Sequence, residues 1–173
     1  MSHEARHGRS QRCRGVGEMK DKSHRHLACS PDKLADALRE AEGLCGRRGA
    51  ALTPLRKQVL TFLLEAGRPI KAYDLLHRLR DDRSAKPPTI YRTLDFLIDM
   101  GLAHRIESLN AFVPCGHWDH GHAAVFLLCD GCGSAGELHA GETYKKLAQD
   151  LSSVHFRMRN AVIEVRGLCR ACS

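Results

Sequence analysis

The sequence predicts an α+β fold, with short helices and a hairpin followed by a small sheet-and-helix unit clipped by four cysteines. Three observations predict it. Four apolar stretches recur at helical spacing and are punctuated by Pro and Gly. Two short extended runs, Leu102–Glu107 and Ala111–Pro114, flank the turn residues Ser108, Leu109 and Asn110. Two C-x-x-C pairs, Cys129/Cys132 and Cys169/Cys172, lie in the second half.

Residues 1–29 are rich in Arg, His, Ser and Gly without an apolar period, which predicts a disordered basic tail. A first helix starts at Ser30-Pro31, a good N-cap followed by a residue suited to the first helical turn. Leu34, Ala37, Leu38, Ala41, Leu44 and Cys45 form its apolar side, and Gly46 or Gly49 ends it. Thr53-Pro54 repeats the start signal, with Leu55, Val59, Leu60, Phe62 and Leu63 inward and Gly67 as the stop. A third helix is expected over Ala72–Leu79, with Leu75, Leu76 and Leu79 inward. A fourth runs from Pro87-Pro88-Thr89 to Met100, buries Ile90, Leu94, Leu97 and Ile98, and stops at Gly101.

Helices followed by a hairpin fit a winged helix-turn-helix, in which the last helix enters the DNA major groove. Thr89, Tyr91, Arg92 and Thr93, with Lys86 just before, are expected on its outward N-terminal turns. A plain helical bundle with a solvated charged face fits the helix pattern equally well. Net charge of the 173-residue chain is +7. Residues 1–29 hold seven Lys/Arg against three Asp/Glu, and residues 50–104 hold nine against six. Nucleic acid is a plausible partner for both blocks, and on charge alone an ordinary basic surface fits as well.

The second half predicts strands over 123–128, Ser134–Leu138 and Ala161–Val165, with an amphipathic helix over Glu142–Val154 that turns Leu147, Ala148 and Leu151 inward. The C-x-x-C pairs lie about 36 residues apart, longer than usual zinc-ribbon spacing, so an ion there would close a whole subdomain. Four thiolates make the closed tetrahedral set of a structural zinc site. A second set of candidate ligands surrounds them: Cys115, His117, His120 and His122 between the halves, His104 upstream and Glu137 downstream. One Cys, two His and a carboxylate would make a mixed site. A catalytic zinc is an alternative, although no separate base or nucleophile accompanies it. No apolar run is long enough to span a membrane and no signal peptide is evident, so a reducing cytoplasmic setting is expected.

Leu52-Thr53-Pro54-Leu55-Arg56, Ala72-Tyr73-Asp74-Leu75-Leu76, Lys86 to Leu97 and the two C-x-x-C pairs together resemble the ferric uptake regulator family, in its zinc-sensing branch. The resemblance covers roughly residues 30–172. It implies a homodimeric repressor that binds palindromic A·T-rich double-stranded DNA operators of zinc-uptake genes when zinc is bound. It implies no membrane and no small-molecule substrate other than zinc. The implied organisation is a winged-helix DNA-binding domain over residues 30–114, a hinge over 115–122, and a dimerisation and metal-binding domain over 123–173. Two Zn2+ sites per subunit are implied: a structural site of Cys129, Cys132, Cys169 and Cys172, and a regulatory site of His104, Cys115, His122 and Glu137. Tyr73 and Arg92 match family DNA contacts. The chain departs from the branch's pattern at His77, where an acidic residue is expected.

Overall fold

The structure is a computed structural model. It describes residues 31–79, 85–116, 118, 124–158 and 161–173. The expected tail, the Ser30 cap, most of the loop before the fourth helix, and His117, His120 and His122 lie outside the described residues.

Four helices come first: α1 (Pro31–Arg47), α2 (Pro54–Ala66), α3 (Ala72–Arg78) and α4 (Pro87–Asp99). Pro54 opens α2 at its first turn, and Gly67, at φ 60°, ends it. α4 ends in a Schellman turn. Gly101 N–H donates to Ile98 O at 2.8 Å and Leu102 N–H to Leu97 O at 2.8 Å. Gly101 is at φ 67°, a left-handed conformation that glycine adopts without a Cβ clash. That turn aims the chain into β1 (Ala103–Ile106), which pairs antiparallel with β2 (Ala111–Pro114) across a 3-10 turn at Glu107–Leu109. Ile70 and Phe112 exchange backbone hydrogen bonds of 2.9 and 2.8 Å, adding the link between α2 and α3 to the hairpin edge. This is a winged helix, and the plain bundle is set aside.

All four residues of β2 are buried, because the hairpin lies between two cores. Alternation along the strand divides them. Phe112 joins the helical core of Leu60, Leu63, Leu75, Ile90, Leu94 and Leu97, which also takes Cys45 from α1, Cys115 and Trp118. Val113 and Ile106 join a second cluster with Phe126, Leu128 and Ala135.

Those last three belong to a three-stranded sheet. β3 (Ala124–Cys129) is its centre, with β4 (Ala135–His139) antiparallel on one side and β5 (Ile163–Gly167) parallel on the other. The crossover between β4 and β5 carries α5 (Gly141–Ser153). The inward face expected for α5 is not buried in the single chain: Leu147, Ala148 and Leu151 are only partly covered. Leu138, Val154, Phe156, Val162, Val165 and Leu168 are also exposed in this half.

Candidate metal centres and nucleic-acid surface

The two C-x-x-C pairs meet at one end of the sheet. Cys129 is the last residue of β3, and a tight turn, with Gly133 N–H donating to Cys129 O at 2.9 Å, carries the chain to Cys132 and back. The second pair follows β5 in a matching turn, with Cys172 N–H donating to Cys169 O at 2.8 Å. Asp130 N–H donates to Gly167 O at 2.8 Å, and Arg166 holds the Asp130 carboxylate at 2.6 Å, so the two turns are tied together.

All four sulfurs lie within 4.8 Å of one another, and Cys132 Sγ is 3.8 Å from Cys169 Sγ. A tetrahedron with metal–sulfur bonds of about 2.3 Å has edges of about 3.8 Å, so the cluster fits zinc. The sulfurs are electrically unequal. The amide of Cys169, 3.3 Å from Cys129 Sγ, and that of Cys132 bring the Cys129 thiol down to about 6. The Ser134 hydroxyl, 3.1 Å from Cys132 Sγ, lowers that thiol too. Cys172 is pushed up to about 12, first by its hydrogen bond to Cys169 and then by burial. Four thiolates cannot collect here without a cation to balance them.

Gly131 lies directly against the second cysteine pair. A Cβ there would lie 2.8 Å from Cys172 Cβ and 2.9 Å from its sulfur. The glycine is needed for space. Gly133 is the one at positive φ, +70°.

The second cluster stands between hairpin and sheet. His104 pairs with Val113 and lies two residues from Ile106, so its side chain faces the second core. Its ring lies 5.1 Å from that of Phe126. Glu137 pairs with Phe126 across β3 and β4, and its side chain is 0% exposed. One Glu137 oxygen accepts the Gly116 amide at 3.0 Å, and the other is 4.0 Å from His104 Nε2. Cys115 completes the group, held by its amide to Leu102 O at 3.0 Å while Trp118 Nε1 donates to its carbonyl at 2.7 Å. The ligand atoms of His104, Cys115 and Glu137 lie within 4.8 Å of one another. Burying a carboxylate, a thiol and an imidazole together is costly unless they share charge or a metal. These residues come from β1, the end of the hairpin and β4. His122, the fourth expected ligand, lies outside the described residues.

On the helical half, Tyr73 is 67% exposed and Tyr91 49% exposed. Lys86 and Arg92 are exposed and Thr89 is partly covered. Thr93 contradicts its expectation: it is 5% exposed and turned into the helical core with Leu94 and Leu97. It lies one turn beyond Thr89 but on the inner side, where helical phase places it with Ile90. The ring of Tyr73 meets His77 edge-on at 4.5 Å.

Comparison with known proteins gives a consistent set of relatives. The zinc uptake regulation protein of Escherichia coli (strain K12) is 40% identical over 140 residues, covering 79% of this chain and 81% of its own length. The crystal structure of holo XcZur superposes with a TM-score of 0.75 at 41% identity, covering 79% of this chain and 96% of the other. A zinc uptake regulator complexed with zinc and DNA gives 0.77 at 39% identity, covering 80% and 94%. No protein-family model matches the chain.

Proposed function

This chain belongs to the ferric uptake regulator family, among the zinc uptake regulators, and from that premise we propose how its residues act. It is a zinc-responsive, DNA-binding transcriptional regulator that works as a homodimer. The repression of zinc-uptake genes from palindromic A·T-rich operators, in the cytoplasm, is the reading that fits this role.

Two zinc sites per subunit divide the work. Cys129, Cys132, Cys169 and Cys172 would hold a permanent ion that fastens the end of β3 to the end of β5. His104, Cys115 and Glu137, with His122, would hold the regulatory ion. The single observation that carries this reading is that the second group joins hairpin to sheet. An ion shared by both elements favours one angle between them, and it changes DNA affinity only by that preference. The Cys115 thiol suits zinc better than iron or manganese.

In the favoured arrangement α4 of each protomer would enter the major groove, the two helices spaced about 34–36 Å apart. Arg92 would read base edges, while Lys86, Thr89, Tyr73 and Tyr91 hold backbone or bases. The exposed apolar residues Val154, Phe156, Val162, Val165 and Leu168 are available to a second copy. The test is a titration of a palindromic A·T-rich duplex and a scrambled duplex, at fixed salt, with protein in zinc-replete and zinc-chelated buffer. Tight binding of the palindrome only with zinc supports the reading. Equal binding of both duplexes, or indifference to zinc, would sink it.

A further inference from the structure

Phe126 has a glutamate on each side. Across β3 and β4 it pairs with Glu137, and across β3 and β5 it pairs with Glu164. Residues in register across a sheet share a face, so Glu137, Phe126 and Glu164 form one row facing the hairpin. Glu137 meets the hairpin where it leaves toward the sheet, accepting the Gly116 amide at 3.0 Å. Glu164 meets it at the opposite end. Its two oxygens accept the amide of Glu107 at 2.6 Å and that of Ser108 at 3.3 Å.

Those amides open the 3-10 turn at the tip of the hairpin. The first amides of a helical turn lack partners within it, and a carboxylate there makes charge-assisted bonds with both. β5 carries two charged residues, each with a partner: Arg166 holds Asp130 at 2.6 Å, and Glu164 holds the hairpin tip. Phe126, between the two carboxylates, packs with Ile106 and Val113. The hairpin is therefore seated on the sheet at two points, one at the proposed zinc site and one that involves no metal ligand.

We propose that Glu164 is a positioning residue for operator binding: it pins the hairpin tip to β5, so that zinc at the other end fixes an angle and not merely a distance. One attachment point leaves the helical half free to swivel; two define its orientation. Glu164 thereby increases the effect of zinc on DNA affinity without binding zinc. This inference rests on the zinc-responsive DNA-binding reading above.

The experiment uses the full-length, zinc-loaded dimer with Glu164→Ala and Glu164→Gln. Three quantities are read: bound zinc per chain, amide hydrogen exchange at Glu107 and Ser108, and operator affinity with and without zinc. For Glu164→Ala, exchange at the two amides is expected to rise at least fivefold, on the order of the loss of one hydrogen bond. Bound zinc stays as in the unsubstituted protein. The zinc-induced gain in operator affinity falls about tenfold, within the usual range of coupling between sites. Glu164→Gln keeps one good acceptor and falls between the two. A zinc-induced gain unchanged in Glu164→Ala overturns the inference, as does loss of bound zinc from both variants, which would make Glu164 a folding residue. If the unsubstituted dimer itself ignores operator DNA at every zinc level, the proposed function fails first and this inference with it.

Discussion

His104 Nε2 and Glu137 Oε1 stand 4.0 Å apart, although one side chain rises from the hairpin and the other from the sheet. Because the two side chains come from different units, their separation depends on the angle between those units. A metal bound here, as proposed, would set that angle.

Cys115→Ser is the sharpest change to that group. Cys115 is buried, and serine keeps its shape while replacing a soft thiolate by a hydroxyl that does not ionise at neutral pH. The expected result is zinc falling from two equivalents per chain to one, measured by elemental analysis after dialysis, with circular dichroism unchanged. Two equivalents retained would remove Cys115 from the ligand set.

Removing the four-sulfur ion should do something different. Cys172→Ser is expected to lower the melting temperature by roughly 10 °C or more, since structural zinc contributes directly to folding. The loss centres on the β3–β5 pairing, which the two turns hold at one end. Hydrogen exchange along β5 checks this, and a melting temperature within a degree or two of the original would contradict it.

Gly131 and Gly133 separate the effect of space from that of backbone conformation. Gly131→Ala drives a Cβ to 2.8 Å from Cys172 Cβ, so the ligand must move, at a cost of about 1–3 kcal/mol plus weakened zinc retention. Gly133→Ala meets no atom within 4 Å but sits at φ +70°, so it costs about 1 kcal/mol and leaves zinc in place. Chelator competition on both variants distinguishes the two mechanisms.

On α4, Arg92→Ala is expected to weaken operator binding by about 1–3 kcal/mol while zinc content is unchanged. Thr93→Val should leave operator affinity within about threefold, because Thr93 faces Leu94 and Leu97 and not solvent. Fluorescence anisotropy at one stated salt concentration measures both. A large loss for Thr93→Val with an intact fold would return that residue to the DNA surface.

Much of the helical half was legible because its signals are local. Pro54, Pro87, Gly67 and Gly101 bound helices by backbone chemistry, and the apolar period names Leu60, Leu75, Ile90 and Leu94 as core. Thr93 was misplaced because a small polar residue at a helix position does not declare its side, and only packing decides it. The cysteine cluster was legible from spacing, but the role of Gly131 depends on Cys172, which lies 41 positions later in the numbering and reaches it only through the fold. His104, Cys115 and Glu137 stood among the candidate ligands by residue type, and the resemblance chose among the histidines; their meeting beside the hairpin follows from strand register, which spacing alone cannot supply. Glu164 was missed for the same reason. Leu147, Ala148 and Leu151 are only partly covered in the single chain, in keeping with the proposal that this half meets another copy.

The most direct measurement is operator affinity as a function of buffered free zinc, for the original dimer and for Cys115→Ser, at one fixed salt concentration. The original should gain about 5- to 150-fold on zinc binding, the range of a coupling of about 1–3 kcal/mol. Cys115→Ser should show a flat curve near the zinc-free affinity while keeping its four-sulfur ion. A Cys115→Ser dimer whose affinity rises with zinc as steeply as the original would contradict the assignment of zinc sensing to the junction of hairpin and sheet.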